Sequence, residues 1–266
     1  MYLIDTHCHL HDREFFTEEQ AETMLKNAHV RGVKQIICIG TSHDDSLKAK
    51  AFAEAHQDVF WTYGIHPESV ASNSETKPDR EDASKLVAIG EIGLDYHYPG
   101  YDRDAQIKLF EQMLQLALDR ELPCSFHVRD ALPDFFAVVK NFTGLKPSVL
   151  HSFSDSKEHL EYALDNGFYI GLNGLATFAN LACYRDLTPV FLDRCIIETD
   201  APFLTPEPNR GKINEPGNIA DIARWLSSKL GVSEDLVAEK TTKNARKIFN
   251  LHHPESAQPG ACAELS

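Results

Sequence analysis

Two histidines one residue apart, His7 and His9, open the chain within Asp-Thr-His-Cys-His-Leu. Alternate residues of an extended strand face the same way, so both imidazoles can address one centre. Four more residues of metal-binding type each end a short apolar run. They are Glu91 in Ala-Ile-Gly-Glu, His127 in Ser-Phe-His, His151 in Val-Leu-His and Asp200 in Glu-Thr-Asp. Neutral imidazoles mixed with carboxylates suit divalent transition ions. The six side chains outnumber the three protein ligands of a mononuclear catalytic zinc site. A pair of ions bridged by Glu91 and a hydroxide, about 3.5–4 Å apart, is the economical arrangement. Such a pair can activate water and stabilise the leaving oxygen of a phosphodiester. A lone histidine after a strand is more often an ordinary hydrogen-bonded residue. The metal reading rests on all six falling at run ends.

Further polar residues fall near the same ends. His66, in Gly-Ile-His-Pro, is either a substrate-phosphate contact or a loop residue fixed by Pro67. Arg129 follows His127 and can meet a phosphate or simply pair with Asp130. Asp95 follows Glu91 and can orient a ligand or a loop. Glu198 precedes Asp200 by two residues and so faces the same way, as a support for a ligand. The loop 209–216 holds Arg210, Lys212 and Glu215. Arg210 and Lys212 can receive a polyanion there, and Glu215 can clamp an arginine or a histidine. The alternative is an ordinary solvated loop.

The elements that must position these residues are legible as short runs rich in apolar and β-branched residues. They occupy 2–6, 34–39, 59–64, 86–91, 123–127, 148–151, 168–172 and 195–199, and each resembles a buried parallel strand. Amphipathic stretches with a 3.6-residue apolar period intervene at 18–30, 45–56, 105–120, 132–141 and 157–166, with two more at 219–230 and 233–249. Gly32 and Gly167 follow such stretches as helix stops. This is an α/β pattern, either a closed barrel or a large doubly wound sheet. Parallel strands gather their C-terminal ends at one mouth, where barrel active sites lie. The barrel domain is expected over 1–251, with a disordered tail over 252–266.

Bulk properties bound the function. The chain has 266 residues, 42% of them hydrophobic, and a formal charge of −14. A broad DNA-coating surface is usually basic, so attraction for a polyanion must be local, from bound cations and a few Arg and Lys. No apolar stretch is long enough to span a bilayer and no signal peptide is visible, so a cytoplasmic protein is the default. The six cysteines form no Cys-x-x-Cys pair and read as small core residues.

At these motifs the sequence resembles the TatD family of metal-dependent hydrolases. The matching segments are Asp5-Thr-His-Cys-His-Leu10, Gly64-Ile-His-Pro67, Ala88-Ile-Gly-Glu-Ile-Gly-Leu-Asp-Tyr96, His127-Val-Arg-Asp130, His151-Ser-Phe-Ser154, Glu198-Thr-Asp-Ala-Pro-Phe-Leu204 and the loop Arg210-Gly-Lys-Ile-Asn-Glu-Pro216. The resemblance implies a (β/α)₈ TIM barrel and a dinuclear site of Mg²⁺, Mn²⁺ or Zn²⁺. It implies His7, His9, Glu91, His127, His151 and Asp200 as ligands, with Asp200 and Glu91 the groups closest to the chemistry. It further implies 3′→5′ exonuclease action on single-stranded or frayed DNA, a link to DNA repair and to DNA breakdown in cell death, and by default a monomer. The rival reading is amidohydrolase-type cleavage of an amide, ester or lactone, including D-aminoacyl-tRNA deacylation. Ile213, His11 and Asp155 depart from the family pattern and bear on substrate preference.

Overall fold

The computed structural model describes residues 2–72 and 84–252; the expected tail lies, from residue 253 onward, outside the described residues. Eight parallel strands lie side by side in chain order. They are β1 (Leu3–Cys8), β2 (Val33–Cys38), β3 (Val59–Tyr63), β4 (Leu86–Asp95), β5 (Cys124–Arg129), β6 (Val149–Leu150), β7 (Tyr169–Leu172) and β8 (Cys195–Ile197). The end of β8 returns to β1. The Asp200 N–H donates to the His7 carbonyl and the His9 N–H to the Ala201 carbonyl, both at 2.8 Å. The Thr6 hydroxyl donates to the Ile197 carbonyl at 3.0 Å. The sheet is therefore a closed barrel, which removes both edges, and not an open doubly wound sheet. Beneath this seam the Asp5 carboxylate accepts the Thr199 N–H at 2.9 Å and the Thr199 hydroxyl at 2.6 Å. Burial pushes the Asp5 carboxyl up to about 8, against the opposing pull of the Thr199 bonds.

Helices α1 (Glu18–Val30), α2 (His43–Ala55), α3 (Arg103–Arg120), α4 (Leu132–Val139), α5 (Lys157–Asp165), α6 (Leu175–Phe178), α7 (Ile219–Leu230) and α8 (Glu234–Phe249) complete the fold. Thr17 and Gln20 form a reciprocal capping box at the start of α1. Ser42, Asp102, Ser156 and Ser233 cap α2, α3, α5 and α8 through their side-chain oxygens. Gly32 and Gly167 take φ of 92° and 84°, as helix stops require. The one-turn α6 was not foreseen: four residues are too short to show a period.

The core has two parts, set by strand alternation. Leu3, Ile36 and Cys38 pack outward against the helices, whereas Ile4, Ile37 and Ile39 belong to a second cluster along the barrel axis. That axial cluster includes Tyr169, Ile196 and, from α8, Ala245, Ile248 and Phe249. Thr242 of α8 donates to the Tyr2 carbonyl and Asn244 to the Leu192 and Cys195 carbonyls, each at 2.8 Å. The last helix thus stoppers the end of the barrel where the strands begin. The opposite end is left for side chains that do chemistry.

Four register shifts interrupt the ladders, and two of them place one extra residue just before the mouth. Three steps along β1, Asp5 to Cys8, match two along β2, Ile36 to Cys38. Three steps along β4, Ile89 to Ile92, match two along β5, Cys124 to Phe126. An extra residue flips the alternation beyond it. Ile4 and His7 consequently share the axial side although three apart, as do Ala88 and Glu91. Each bulge turns an apolar barrel lining into a polar mouth. The second also lets β4 run on to Asp95, beyond its expected end at 91.

Candidate metal centre

Glu91 and Asp200 are the hub of the mouth. His7 Nε2 lies 3.5 Å from Glu91 Oε2 and 3.6 Å from Asp200 Oδ1. His9 Nε2 lies 3.5 Å from the same Asp200 oxygen. His151 Nε2 is 3.8 Å from Glu91 Oε1 and 3.9 Å from Asp200 Oδ1. His127 Nδ1 is 2.9 Å from Glu91 Oε1, and His66 Nε2 is 3.9 Å from it. All six residues singled out at run ends are therefore gathered at one point, with His66 beside them. Three overlapping groups are compact enough to hold an ion: His7, His9 and Glu91; His66, Glu91 and His127; and His7, His151 and Glu198.

The ring nitrogens are sorted by their outer partners. His9 Nδ1 meets the Ile39 carbonyl at 3.1 Å, which leaves Nε2 facing the hub. His151 Nδ1 lies 2.8 Å from Glu198 Oε1, poorly aligned for a hydrogen bond. Glu198 in turn accepts the Ser152 N–H at 2.7 Å. Gly171 makes room for that carboxylate, because a Cβ there would stand 2.4 Å from Glu198 Oε2. His127 Nε2 is 2.8 Å from Asp95 Oδ2. The Asp95 backbone is pinned on both sides by Gln106 of α3, each bond 2.8 Å. His66 Nδ1 accepts the Glu68 N–H at 3.2 Å, which leaves its other nitrogen as a proton donor toward the hub. Asp200 itself sits in the left-handed region, φ 56°, where Asn and Asp are enriched over most side chains.

The electrostatics are those of a site built for positive charge. Burial alone would raise the two hub carboxyls. The bond from His127 and the close imidazole of His7 instead hold Glu91 well below the usual range, and His9 with the neighbouring imidazoles lowers Asp200. Burial works against a proton on His151, yet Glu198, Asp200 and Glu91 raise its pKa to about 10. Asp95 and Glu91 likewise raise His127 to about 9 against burial. Burial and the neighbouring His127 lower His66 to about 4, so it is neutral at physiological pH. His7 is lowered by burial and by His151, against which its ring stacks at 3.5 Å. Neither ring nitrogen of the fully buried His7 has a hydrogen-bond partner. A buried polar atom without a partner is costly, and a cation at the hub would satisfy Nε2. Donor set and orphaned nitrogen together fit divalent metal.

The mouth opens into a cavity of about 710 Å³. Arg129 lines it, with its guanidinium 5.3 Å over the Tyr98 ring. His66 lines it too, whereas the loop residues expected to meet substrate lie elsewhere. Arg210 stacks on Phe178 at 3.5 Å and donates to the Thr205 carbonyl. Among the described residues Glu215 clamps neither an arginine nor a histidine; its carboxylate accepts from Asn27 on α1 at 3.4 Å. Arg210, Lys212 and Glu215 are absent from the residues lining the cavity. What the loop contributes instead is Asn214, fully buried, whose amide donates to the Thr199 and Phe203 carbonyls at 2.8 and 2.6 Å. It ties down both sides of Asp200. Among the departures, His11 turns to Asp45 at 3.1 Å, Asp155 joins His159 at 2.6 Å beside the start of α5, and Ile213 is exposed.

Comparison with known proteins agrees with this geometry. The family model described as TatD related DNase matches residues 4–250. The chain is 32% identical to the uncharacterized metal-dependent hydrolase YcfH of Escherichia coli K12, covering 94% of this chain and 97% of that one. It is also 32% identical to a protein of Erwinia tasmaniensis named 3′-5′ ssDNA/RNA exonuclease TatD, over 86% and 93%. The crystal structure of the E. coli TatD homologue YjjV superposes with a TM-score of 0.83 at 27% identity, over 94% and 98%. A β-aspartyl dipeptidase of Fervidobacterium islandicum shares the barrel at a TM-score of 0.64 and 19% identity. With its closed eight-stranded barrel and its cluster of imidazoles and carboxylates, the chain belongs to the TatD-related DNase family and is a metal-dependent hydrolase.

Proposed function

We propose that this protein hydrolyses phosphodiester bonds of DNA, removing nucleotides from the 3′ end of single strands with two divalent ions held by His7, His9, Glu91, His127, His151 and Asp200. The observation that carries the reading is the meeting of all six side chains at one hub, with Glu91 within 3.9 Å of four imidazoles. Glu91 would hold the ions together with the imidazoles around it, and Asp200 faces His7 and His9. The TatD exonuclease of Erwinia tasmaniensis, at 32% identity, supports the choice of substrate.

Divalent ions in such a site supply water activation near neutral pH and offset charge on the phosphoryl group. The chain's own residues do the rest. Asp200, its carboxylate held ionised, accepts the proton of the attacking water and passes it to the departing 3′-oxygen as the phosphorus–oxygen bond breaks. Neutral His66 donates a hydrogen bond from Nε2 to a non-bridging oxygen. Arg129 receives a neighbouring phosphate on the cavity wall. Glu198 and Asp95 keep His151 and His127 in orientation.

Metal-loaded protein is incubated with 5′- and 3′-labelled single-stranded DNA under Mg²⁺, Mn²⁺ and Zn²⁺, and with a panel of amides and lactones. Stepwise shortening from the 3′ end is the expected outcome. Turnover of an amide or lactone with DNA left intact would overturn the reading.

A further inference from the structure

The cavity is poorly equipped to hold a polyanion by charge. Among the described residues lining it, Arg129 is the one Arg or Lys, and Asp12 and Glu68 share the wall. The whole chain carries a formal charge of −14. With Arg129 and the proposed ions answering only the phosphates beside the cut, a further grip is needed to hold a strand across the mouth.

The same wall exposes large aromatic rings that the proposed chemistry does not use. Phe15 and Phe203 are 44% and 46% exposed and meet edge to face with centroids 5.2 Å apart. Phe203 is fixed in place by its N–H bond to the Asp200 carbonyl, 2.8 Å, and by Asn214 on its own carbonyl. Across the mouth Tyr98 is 54% exposed, and the Arg129 guanidinium lies over its ring. The barrel order fixes how these stations are arranged. Phe15 and Phe203 follow β1 and β8, which flank the seam, whereas Tyr98 and Arg129 follow or end β4 and β5. In a ring of eight strands those pairs are diametrically opposed, with the carboxylate and imidazole hub between them.

We infer that Phe15–Phe203 and Tyr98–Arg129 are two nucleobase-stacking subsites, one on each side of the phosphate being cleaved. This inference rests on the phosphodiester reading above and names what grips the strand. Every base offers a π face, so the grip tolerates any sequence. The bases on either side of one phosphate must leave their stack to reach opposite walls, which pairing resists, so the grip selects unpaired ends. The arginine adds a cation–π contact to the second station.

The test compares the metal-loaded wild type with Phe203→Leu, Phe203→Tyr and Tyr98→Ala. The substrates are an intact single-stranded oligonucleotide and the same strand with abasic sugars at its last two positions. The wild type is expected to favour the intact strand by about a hundredfold in kcat/KM, about tenfold for each station, chiefly through KM. Phe203→Leu and Tyr98→Ala should each lose about tenfold more on the intact strand than on the abasic one. Phe203→Tyr should restore the preference. KM should also depend only shallowly on salt, as for a strand neutralised at about one phosphate. Equal rates on both strands by the wild type, or equal losses on both by the variants, would overturn the subsites and leave the nuclease reading standing. A wild type that cleaves neither strand would remove that reading and the subsites with it.

Discussion

Glu198 Oε1 and His151 Nδ1 lie 2.8 Å apart, both side chains almost wholly buried. The pairing aims the other ring nitrogen of His151 at Glu91 and Asp200. Outer partners of this kind typically tune metal affinity by about 10–100-fold. Glu198→Gln is therefore expected to weaken metal binding by about that factor, read by titration calorimetry. Gly171→Ala should act in the same direction by displacing the carboxylate. Unchanged affinity in both variants would mean that His151 needs no such partner.

Asp200 faces three imidazoles and, as proposed, moves the proton of the attacking water. Removing a general acid–base group costs about 10²–10⁴-fold in rate. Asp200→Ala should lose at least that much turnover while keeping its far-ultraviolet circular dichroism. Near-normal turnover would end the proposed role.

His127 and His151 keep their protons up to about 9 and about 10. Ligation requires an unprotonated nitrogen, so metal uptake near neutral pH must release protons. Apparent metal affinity should rise as pH climbs from 6 toward 9, measured with a competing chelator. The sign reverses for the stability of the metal-free protein. A raised folded-state pKa stabilises fully below the ordinary value of 6.5, and that contribution fades as pH passes through about 9 and 10. Metal-free Tm should therefore fall on the alkaline side more steeply than metal-loaded Tm; parallel profiles would count against this account.

Asn214 ties the two carbonyls that flank Asp200. Asn214→Ala strands both acceptors in a buried setting, at a cost of about 1–3 kcal/mol. For a chain of this size that lowers Tm by several degrees. Because the loosened turn carries Asp200, turnover should fall too. A lower Tm with intact kcat would show that the turn holds its shape alone.

The six hub residues were legible because their types are rare at the ends of apolar runs and the runs themselves are parallel-strand-like. Closure of the sheet was not legible from the pattern, which equally allowed an open sheet; the bonds from Asp200 and His9 across to β1 decide it. The extra residues in β1 and β4 were also hidden, since a bulge changes pairing without changing residue type. Without them the axial sides of Ile4 and His7 could not agree. Arg210, Lys212 and Glu215 illustrate a second limit. In a loop, spacing carries no direction, and the charged trio turned outward while Asn214 between them turned in. Phe15 and Phe203 escaped notice because two aromatics 188 positions apart reveal nothing of their contact until β1 and β8 meet.

The seam has a consequence for biosynthesis. Asp5 and Thr199, 194 residues apart, close the ring, and His7 and His9 sit on one lip of it with Asp200 on the other. His9 and Asp200 stand 191 positions apart, so the hub forms only once the segment after β8 has been made and has closed on β1. Every growing chain is thus a latent hydrolase, unable to cut until that seam shuts.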